Sequence, residues 1–373
     1  MVIVILKKTR EIVSKFVHQT IPWIASLQKK RTWYFDLFFH IITLIAGTGI
    51  YAALIPTIIL FYPHPVFVNT MIMITICCCY NILVGNFIKN LFGLPRPYGE
   101  GISTLTVEKD FGFPSTHTIN AIVNSGFVMF VHLELLQMKV LYFLYVGLVS
   151  FSRMYMGVHS PADVCCGVFI GFIHLILFVN FHEGILAFHS YLFLIPLFFI
   201  IHIIILIMLP RCKHYNPTPK RSAMLCGCLM AISVVKSLNL QTLTTSILPP
   251  GEYINYQLHR FPSFIFEYLV SISVCGGLFG LFGYLLPNML MKVVEKSAKM
   301  NSFLRRIENF CFKYRFHCLD DQIHEYECDK TMLKYTLEIP FSYFSGFVGA
   351  FCVLYVAPNI VLKLNPDIIL PLN

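Results

Sequence analysis

The sequence predicts an all-α, polytopic transmembrane helix bundle of about nine spans, and three observations carry that prediction. Hydrophobic residues fill 57% of the 373 positions, the mean hydropathy is +0.70, and the apolar runs continue for roughly twenty residues or more. One soluble core of this length could not bury so much apolar surface. A membrane barrel would instead alternate apolar and polar residues in segments of about ten.

The elements follow in chain order. Residues 1–33 place Val13, Phe16, Val17, Ile24 and Leu27 at helical spacing among Lys7, Lys8, Arg10, Lys15, Lys29, Lys30 and Arg31. This pattern predicts a basic amphipathic helix lying on the membrane surface. The apolar stretch Met1 to Leu6 is too short for a signal-peptide core and precedes the basic residues instead of following them, so no cleavable signal is expected. Apolar runs then appear at 34–62, 66–88, 118–137, 139–152, 161–181 and 188–209. A weaker run at 222–240 contains Lys236, and clear runs return at 264–287 and 339–362. The chain thus divides into the basic segment 1–33, a membrane core at 34–182, and additional transmembrane helices at 183–373 with a polar loop at about 288–335. That loop mixes Asp320, Asp321, Glu325 and Glu327 with basic residues, which reads as a solvated helical face and not as a metal site.

The net charge of +9 sits in the loops between apolar runs, the ordinary topogenic pattern. The expected partner is therefore the lipid bilayer with its anionic headgroups, and no nucleic acid. Of thirteen cysteines, Cys77, Cys78, Cys79, Cys165, Cys166, Cys275 and Cys352 lie inside apolar runs, where they behave as small hydrophobes. Cys226 with Cys228 and Cys318 with Cys328 lack a second ligand pair, so neither a disulfide framework nor a zinc site is expected. His132, His174 and His202 stand within apolar runs and read as helix-packing residues.

Three polar islands interrupt this pattern: KNLFGLPRP at 89–97, PSTH at 114–117 and SRMYMGVHSPAD at 152–163. If each apolar run crosses the bilayer once, all three surface on the same side. Ser115 precedes a long apolar run and can cap its helix, aiming unpaired N–H groups at an anion. Ser160 followed by Pro161 reads as an N-cap with proline at the first helical position, putting Asp163 within one turn of His159.

These residue types suit transfer of a phosphoryl group, which is catalysed mainly by positioning and by stabilising charge on the equatorial oxygens. Lys89, Arg96 and Arg153 can neutralise those oxygens, with Ser115 completing the cradle. His159 is the candidate nucleophile, Asp163 the group that fixes its tautomer, and His117 the general acid and later base. Three side-chain cations supply the charge a metal would bring, so neither a metal nor another cofactor is expected. Each residue alone has a simpler reading. Lys89 and Arg153 can be snorkelling anchors, Ser160 with Asp163 a capping box, and His117 a polar residue at a helix mouth. The simpler readings leave unexplained why ten such residues gather on one predicted face.

The islands resemble the three signature motifs of the type 2 phosphatidic acid phosphatase superfamily. The match runs through Lys89, Arg96 and Pro97, then Pro114, Ser115 and His117, then Ser152, Arg153, His159 and Asp163. Thr116 stands where many members carry glycine, and FGFPSTHT with SRMYMGVHSPADV is most similar to the sphingosine-1-phosphate phosphatase branch. The resemblance implies a six-helix-type phosphatase core over about 34–182. It also implies catalysis by His159, His117 and Asp163, and phosphate binding by Lys89, Arg96, Ser115, Ser152 and Arg153. The implied activity is metal-independent hydrolysis of a lipid phosphate monoester, sphingosine 1-phosphate or a related long-chain base 1-phosphate, through a phosphohistidine in the endoplasmic reticulum membrane. Motif chemistry alone leaves open another phosphorylated lipid, glucose 6-phosphate, or an anionic-lipid binder or transporter without turnover. The resemblance implies a lumenal site, whereas the basic residues on the islands' side of the bundle predict a cytosolic one.

Overall fold

A computed structural model of the chain describes residues 2–47, 51, 55, 57, 59, 65–97, 101–105, 108–133, 135–212, 216–238, 261–296, 298–315, 318–319 and 330–364. Within them the fold is all-α, as predicted.

Helix α1 (Val2–Gln28) buries Val17 and Ile24 and leaves Phe16 and Trp23 exposed. Its polar side chains grip the neighbouring helix ends. Arg10 Nε donates to the Phe92 carbonyl at 2.7 Å, and the Gln28 amide donates to the carbonyls of Ser103 at 2.9 Å and Tyr155 at 3.1 Å. The basic segment is therefore seated on the end of the bundle that carries the polar islands.

Helices α2 (Trp33–Ile45), α3 (Pro65–Phe92), α4 (Thr116–His132), α5 (Leu136–Tyr155) and α6 (Pro161–Phe188) build the core. α2 packs along α5, with the Phe39 ring 4.5 Å from Tyr155 and 5.5 Å from Phe151 between centroids. α3 is the central helix: 61% of its apolar window is buried, against 28% or less for the other long apolar helices. Ile72, Met73, Ile76 and Cys77 on α3 join one cluster with Ile119, Val123 and Phe127 on α4 and Phe178 on α6. Gly85 of α3 lies against the methyl group of Thr116, so the residue that departs from the usual glycine is received by a glycine across the interface.

The C-terminal third continues with α7 (Ile195–Met208), α8 (Thr218–Ser237) and α9 (Phe261–Leu278). A π-helical turn (Phe279–Leu285) leads into α10 (Leu286–Lys296), which is followed by α11 (Ala298–Tyr314). α12 (Lys330–Phe351), a second π-helical turn (Cys352–Val356) and α13 (Ala357–Leu364) complete the described elements. α8 and α12 meet backbone to backbone. Gly227 lies on the Tyr343 carbonyl and Gly346 on the Met224 carbonyl, where any Cβ would overlap. Small residues permit such an approach between membrane helices. Gly227→Leu is expected to part the two helices and to cost the upper end of the about 1–3 kcal/mol that overpacking brings, read as a lower unfolding temperature of the detergent-solubilised protein.

Among the described residues four helical stretches are long and apolar enough to cross a membrane: Phe67–Phe92, Pro161–Phe188, Leu269–Val294 and Lys334–Ile360. Two further apolar helices, Trp33–Ile45 and Leu192–Met208, are shorter, and parts of the runs at 34–62 and 222–240 lie outside the described residues, which therefore do not cover all nine spans expected from apolar runs. Among the helices outside these four is α8. Lys220, Arg221 and Lys236 lower its apolarity, yet most of its residues are buried, because α3, α7 and α12 enclose it in protein. Lys236 Nζ donates to Asn69 Oδ1 at 3.0 Å. The histidines within apolar runs are likewise met by neutral polar groups: His132 by Thr70 at 2.9 Å, His174 by Asn81 at 2.8 Å and His202 by Tyr343 at 3.1 Å.

The polar stretch at 288–335 is only partly a solvated face, which corrects the sequence reading. Glu308 on α11 is fully buried between Arg211 Nη1 at 2.7 Å and Arg315 Nη1 at 2.6 Å, and Thr336 also donates to it. A buried carboxylate is tolerated when paired this way. Asp320, Asp321, Glu325 and Glu327 lie outside the described residues. Leu319 N–H donates to the Leu91 carbonyl at 2.8 Å, and Arg221 Nη1 lies 3.5 Å from Asp110. Arg10 of α1 and Arg221 of α8 thus both reach the island end of the bundle.

Candidate active site

The site is assembled from helix ends. Lys89 sits in the last turn of α3, and Gly93, with φ of 59°, turns the chain out of that helix. The following loop folds back, with Gly112 N–H donating to the Leu94 carbonyl at 3.0 Å, and so carries Arg96 inward. The Phe113–Pro114 peptide bond is cis. Ser115 then caps α4, its Oγ accepting from Thr118 Oγ1 at 3.0 Å and from Thr118 N–H at 3.5 Å. Arg153 closes α5, and Gly157, with φ of 69°, lets the chain turn sharply so that the N–H groups of Val158 and His159 both reach the Arg153 carbonyl at 3.2 Å. Ser160 and Asp163 form a capping box at the start of α6, with Pro161 at its first position. Both predicted N-caps are present.

These ends converge. The side chains of Lys89, Arg96 and Arg153 are each only 1% exposed, so three cations share one buried volume. Arg96 is the hub: its Nη1 donates to the Val158 carbonyl at 2.7 Å and to His159 Nε2 at 3.2 Å, while its Nε donates to the Asp110 carbonyl at 2.9 Å. On its other edge the His159 ring places Nδ1 3.4 Å from Asp163 Oδ2. That same oxygen accepts the Ser160 N–H at 2.7 Å. The Asp163 main-chain carbonyl accepts the Ser115 N–H at 3.0 Å, tying α4 to α6. His159 lies between helices, and burial, reinforced by Arg96, Arg153 and Lys89, holds its pKa well below the ordinary value. Its imidazole is neutral at physiological pH.

The remaining predicted residues fall as follows. His117, in the first turn of α4, is half-buried and lies within electrostatic reach of Arg153, Glu108 and His159. Ser152 is brought to the same end but faces away. Its hydroxyl donates to the Val149 carbonyl at 2.7 Å and meets Thr43 of α2 at 3.0 Å. Phosphate binding by Ser152 would need that hydroxyl to turn.

Two acidic residues in the loop before α4 were not singled out from the sequence. Asp110 reaches Lys89 Nζ at 2.9 Å and Arg96 Nη2 at 2.6 Å, and Glu108 bridges Arg96 and Arg153. Burial would raise the pKa of Glu108, yet Arg153 and Arg96 hold it down at about 2. Asp110 is likewise held low against burial, by Lys89 and Arg96. The signal available in the sequence was their position, two acids immediately ahead of the PSTH island and between cationic islands that need anions.

Buried cations at the ends of membrane helices, arranged around a neutral imidazole, define a membrane protein built to hold an anionic group. Residues 64–186 match the family model described as PAP2 superfamily, and this segment is a PAP2 superfamily domain. Its similarity to individual proteins is modest. A lipid phosphate phosphatase delta of Arabidopsis thaliana is 29% identical over 44% of this chain and 42% of its own length. A probable sphingosine-1-phosphate phosphatase of Dictyostelium discoideum is 26% identical over 57% and 56%, and a dihydrosphingosine 1-phosphate phosphatase of Saccharomyces cerevisiae 29% over 44% and 43%. The chain spans about half the length of these relatives. Among solved structures, LpxE of Aquifex aeolicus is 25% identical with a TM-score of 0.36, covering 43% of this chain and 93% of LpxE. A PAP2-type phosphatidylglycerolphosphate phosphatase of Bacillus subtilis is 20% identical with a TM-score of 0.39, covering 49% and 96%.

Proposed function

We propose that the chain is a membrane lipid phosphate phosphatase that hydrolyses a phosphate monoester of a long-chain base, such as sphingosine 1-phosphate, in the endoplasmic reticulum membrane. One observation carries the reading: Arg96 Nη1 lies 3.2 Å from His159 Nε2, and the buried cations Arg153 and Lys89 act electrostatically on the same ring. A phosphate bound to Lys89, Arg96 and Arg153, with the N-terminal N–H groups of α4 behind Ser115, would present phosphorus to that nitrogen. The Nε2 lone pair forms the P–N bond as the P–O ester bond breaks. Burial and Arg153 hold His117 down at a pKa of about 3 without ligand; the bound dianion would raise it, and the imidazolium then gives the departing alkoxide its proton. Asp163 Oδ2, 3.4 Å from Nδ1, would close to a hydrogen bond on the Nδ1 proton as charge develops on the ring, and stabilise that charge. His117, now a base, removes a proton from water, whose oxygen attacks the phosphohistidine and releases inorganic phosphate. The sphingoid preference is supported by the names that two of the relatives carry.

The test is phosphate release by the full chain in detergent, with and without vanadate and a chelator. Release that vanadate blocks and chelation spares is the expected result, because side-chain cations provide the charge stabilisation. A chelator-abolished activity, or a strong preference for a soluble sugar phosphate in a substrate panel, would overturn the reading.

A further inference from the structure

The two unforeseen carboxylates occupy the cations that the phosphatase reading reserves for phosphate. Lys89, Arg96, Arg153 and, beside Asp110, Arg221 are four positive charges, Glu108, Asp110 and Asp163 three negative ones, and His159 is neutral, so the cluster as a whole carries one positive charge. A phosphate dianion gripped between the Nη2 groups of both guanidiniums competes directly with the carboxylate that bridges them. One carboxylate must yield.

The geometry selects Glu108. Asp110 is the better anchored of the two, its side chain 5% exposed, held by Lys89 and Arg96 with Arg221 at 3.5 Å. Glu108 is 24% exposed and spans the gap between Arg96 and Arg153, the two forks suited to grip phosphate from both sides. Its remaining neighbours are Asp110 and His117, whose imidazole burial and Arg153 hold down at a pKa of about 3 and so neutral. Once displaced, its carboxylate stays at the rim of a poorly solvated pocket that a dianion has made net negative. An unpaired charge in such surroundings is costly.

A sphingoid base 1-phosphate brings the remedy with it, an ammonium group on the carbon next to the one that bears the phosphate ester. With that ammonium present the pocket is neutral. With a glycerol-based or simple alkyl phosphate it is left with one unmatched negative charge. Resting on the phosphatase reading above, we propose that Glu108 determines substrate class: it pairs with Arg96 and Arg153 in this structure, cedes them to phosphate, and then takes the substrate's ammonium as its new partner. Selection comes from an exchange of ion partners. Phosphatidate offers no cation for that exchange.

The experiment compares dihydrosphingosine 1-phosphate with octadecyl phosphate, which has the same tail length and no amine, on the full chain in mixed micelles. The unaltered protein is expected to favour the amine-bearing substrate in kcat/KM by about tenfold or more, the scale of one charge-assisted hydrogen bond. Glu108→Gln should erase that ratio, chiefly through KM, and Glu108→Asp should keep part of it. Removing the amine and removing the carboxylate should be non-additive, since either change already breaks the pair. Equal loss on both substrates in Glu108→Gln overturns the assignment, as does a ratio left intact. If Glu108→Gln cannot be folded, a lack of preference in the unaltered protein overturns it just as well. Failure of the unaltered protein to release phosphate from either substrate would instead overturn the phosphatase reading, and this inference with it.

Discussion

Replacing His159 by alanine is expected to abolish phosphate release from the solubilised protein, a loss of about 10⁴-fold or more, the scale on which removing a catalytic nucleophile registers. The ring is fully buried and contributes Nε2 toward Arg96 and Nδ1 toward Asp163. Without it, the proposed nucleophile is gone, and the carboxylates nearby are engaged with Lys89, Arg96 and Arg153. The variant should still fold. Arg96 keeps the carbonyls of Val158 and Asp110 and both carboxylates, and the capping box of α6 does not involve the imidazole. Phosphate or vanadate should still bind, because the three cations remain, and binding by calorimetry alongside the release assay separates lost chemistry from lost structure. Full activity in His159→Ala would end the phosphohistidine mechanism.

Arg96→Ala is the change with the largest effect on fold and chemistry together. It removes the only side chain in the cluster that touches Val158, His159, Glu108 and Asp110 at once. Two carboxylates then lose a shared partner in a buried setting, which costs about 3–5 kcal/mol when one member of such a group is deleted. Lysine is no substitute, since it has no planar fork. Thermal unfolding of the variant should begin well below that of the parent, with phosphate release falling to background. The acid limb carries the same signature. Glu108, held at about 2 against its ordinary 4.5, contributes stability that is present above the ordinary value and is lost as pH falls through the lower one. Deleting Arg96 lets that pKa rise, so acid unfolding should shift to higher pH. An unchanged acid transition would show that the Arg96–Glu108 pair contributes nothing.

What could be read in the sequence was what depends on neighbours along the chain. Ser115 as a cap, and Ser160, Pro161 and Asp163 as a cap, a first-turn proline and a first-turn acid, follow from side chains that serve backbone groups within one turn. The meeting of the three islands followed from the parity of apolar runs. Glu108 and Asp110 were not legible, because nothing local distinguishes a loop acid in water from one folded back onto cations more than a dozen residues away. Ser152 shows the same gap at the scale of one bond rotation: its place was predictable, and its hydroxyl's choice of Thr43 was not. Span number was legible only as apolar runs: hydropathy measures how apolar a segment is, not whether lipid or protein surrounds it, and α8 is enclosed by protein. Glu308 likewise looked like one acid in a charged stretch until Arg211, from a distant segment, closed over it.

Asp163 serves two masters. One of its oxygens secures the first turn of α6 through Ser160 and also faces the imidazole of His159, while its carbonyl holds the start of α4. Fraying of that turn would therefore also misplace the imidazole. Under the proposed mechanism, a lipid environment or solvent that slackens the helix entrance is expected to lower phosphate release before the bundle comes apart.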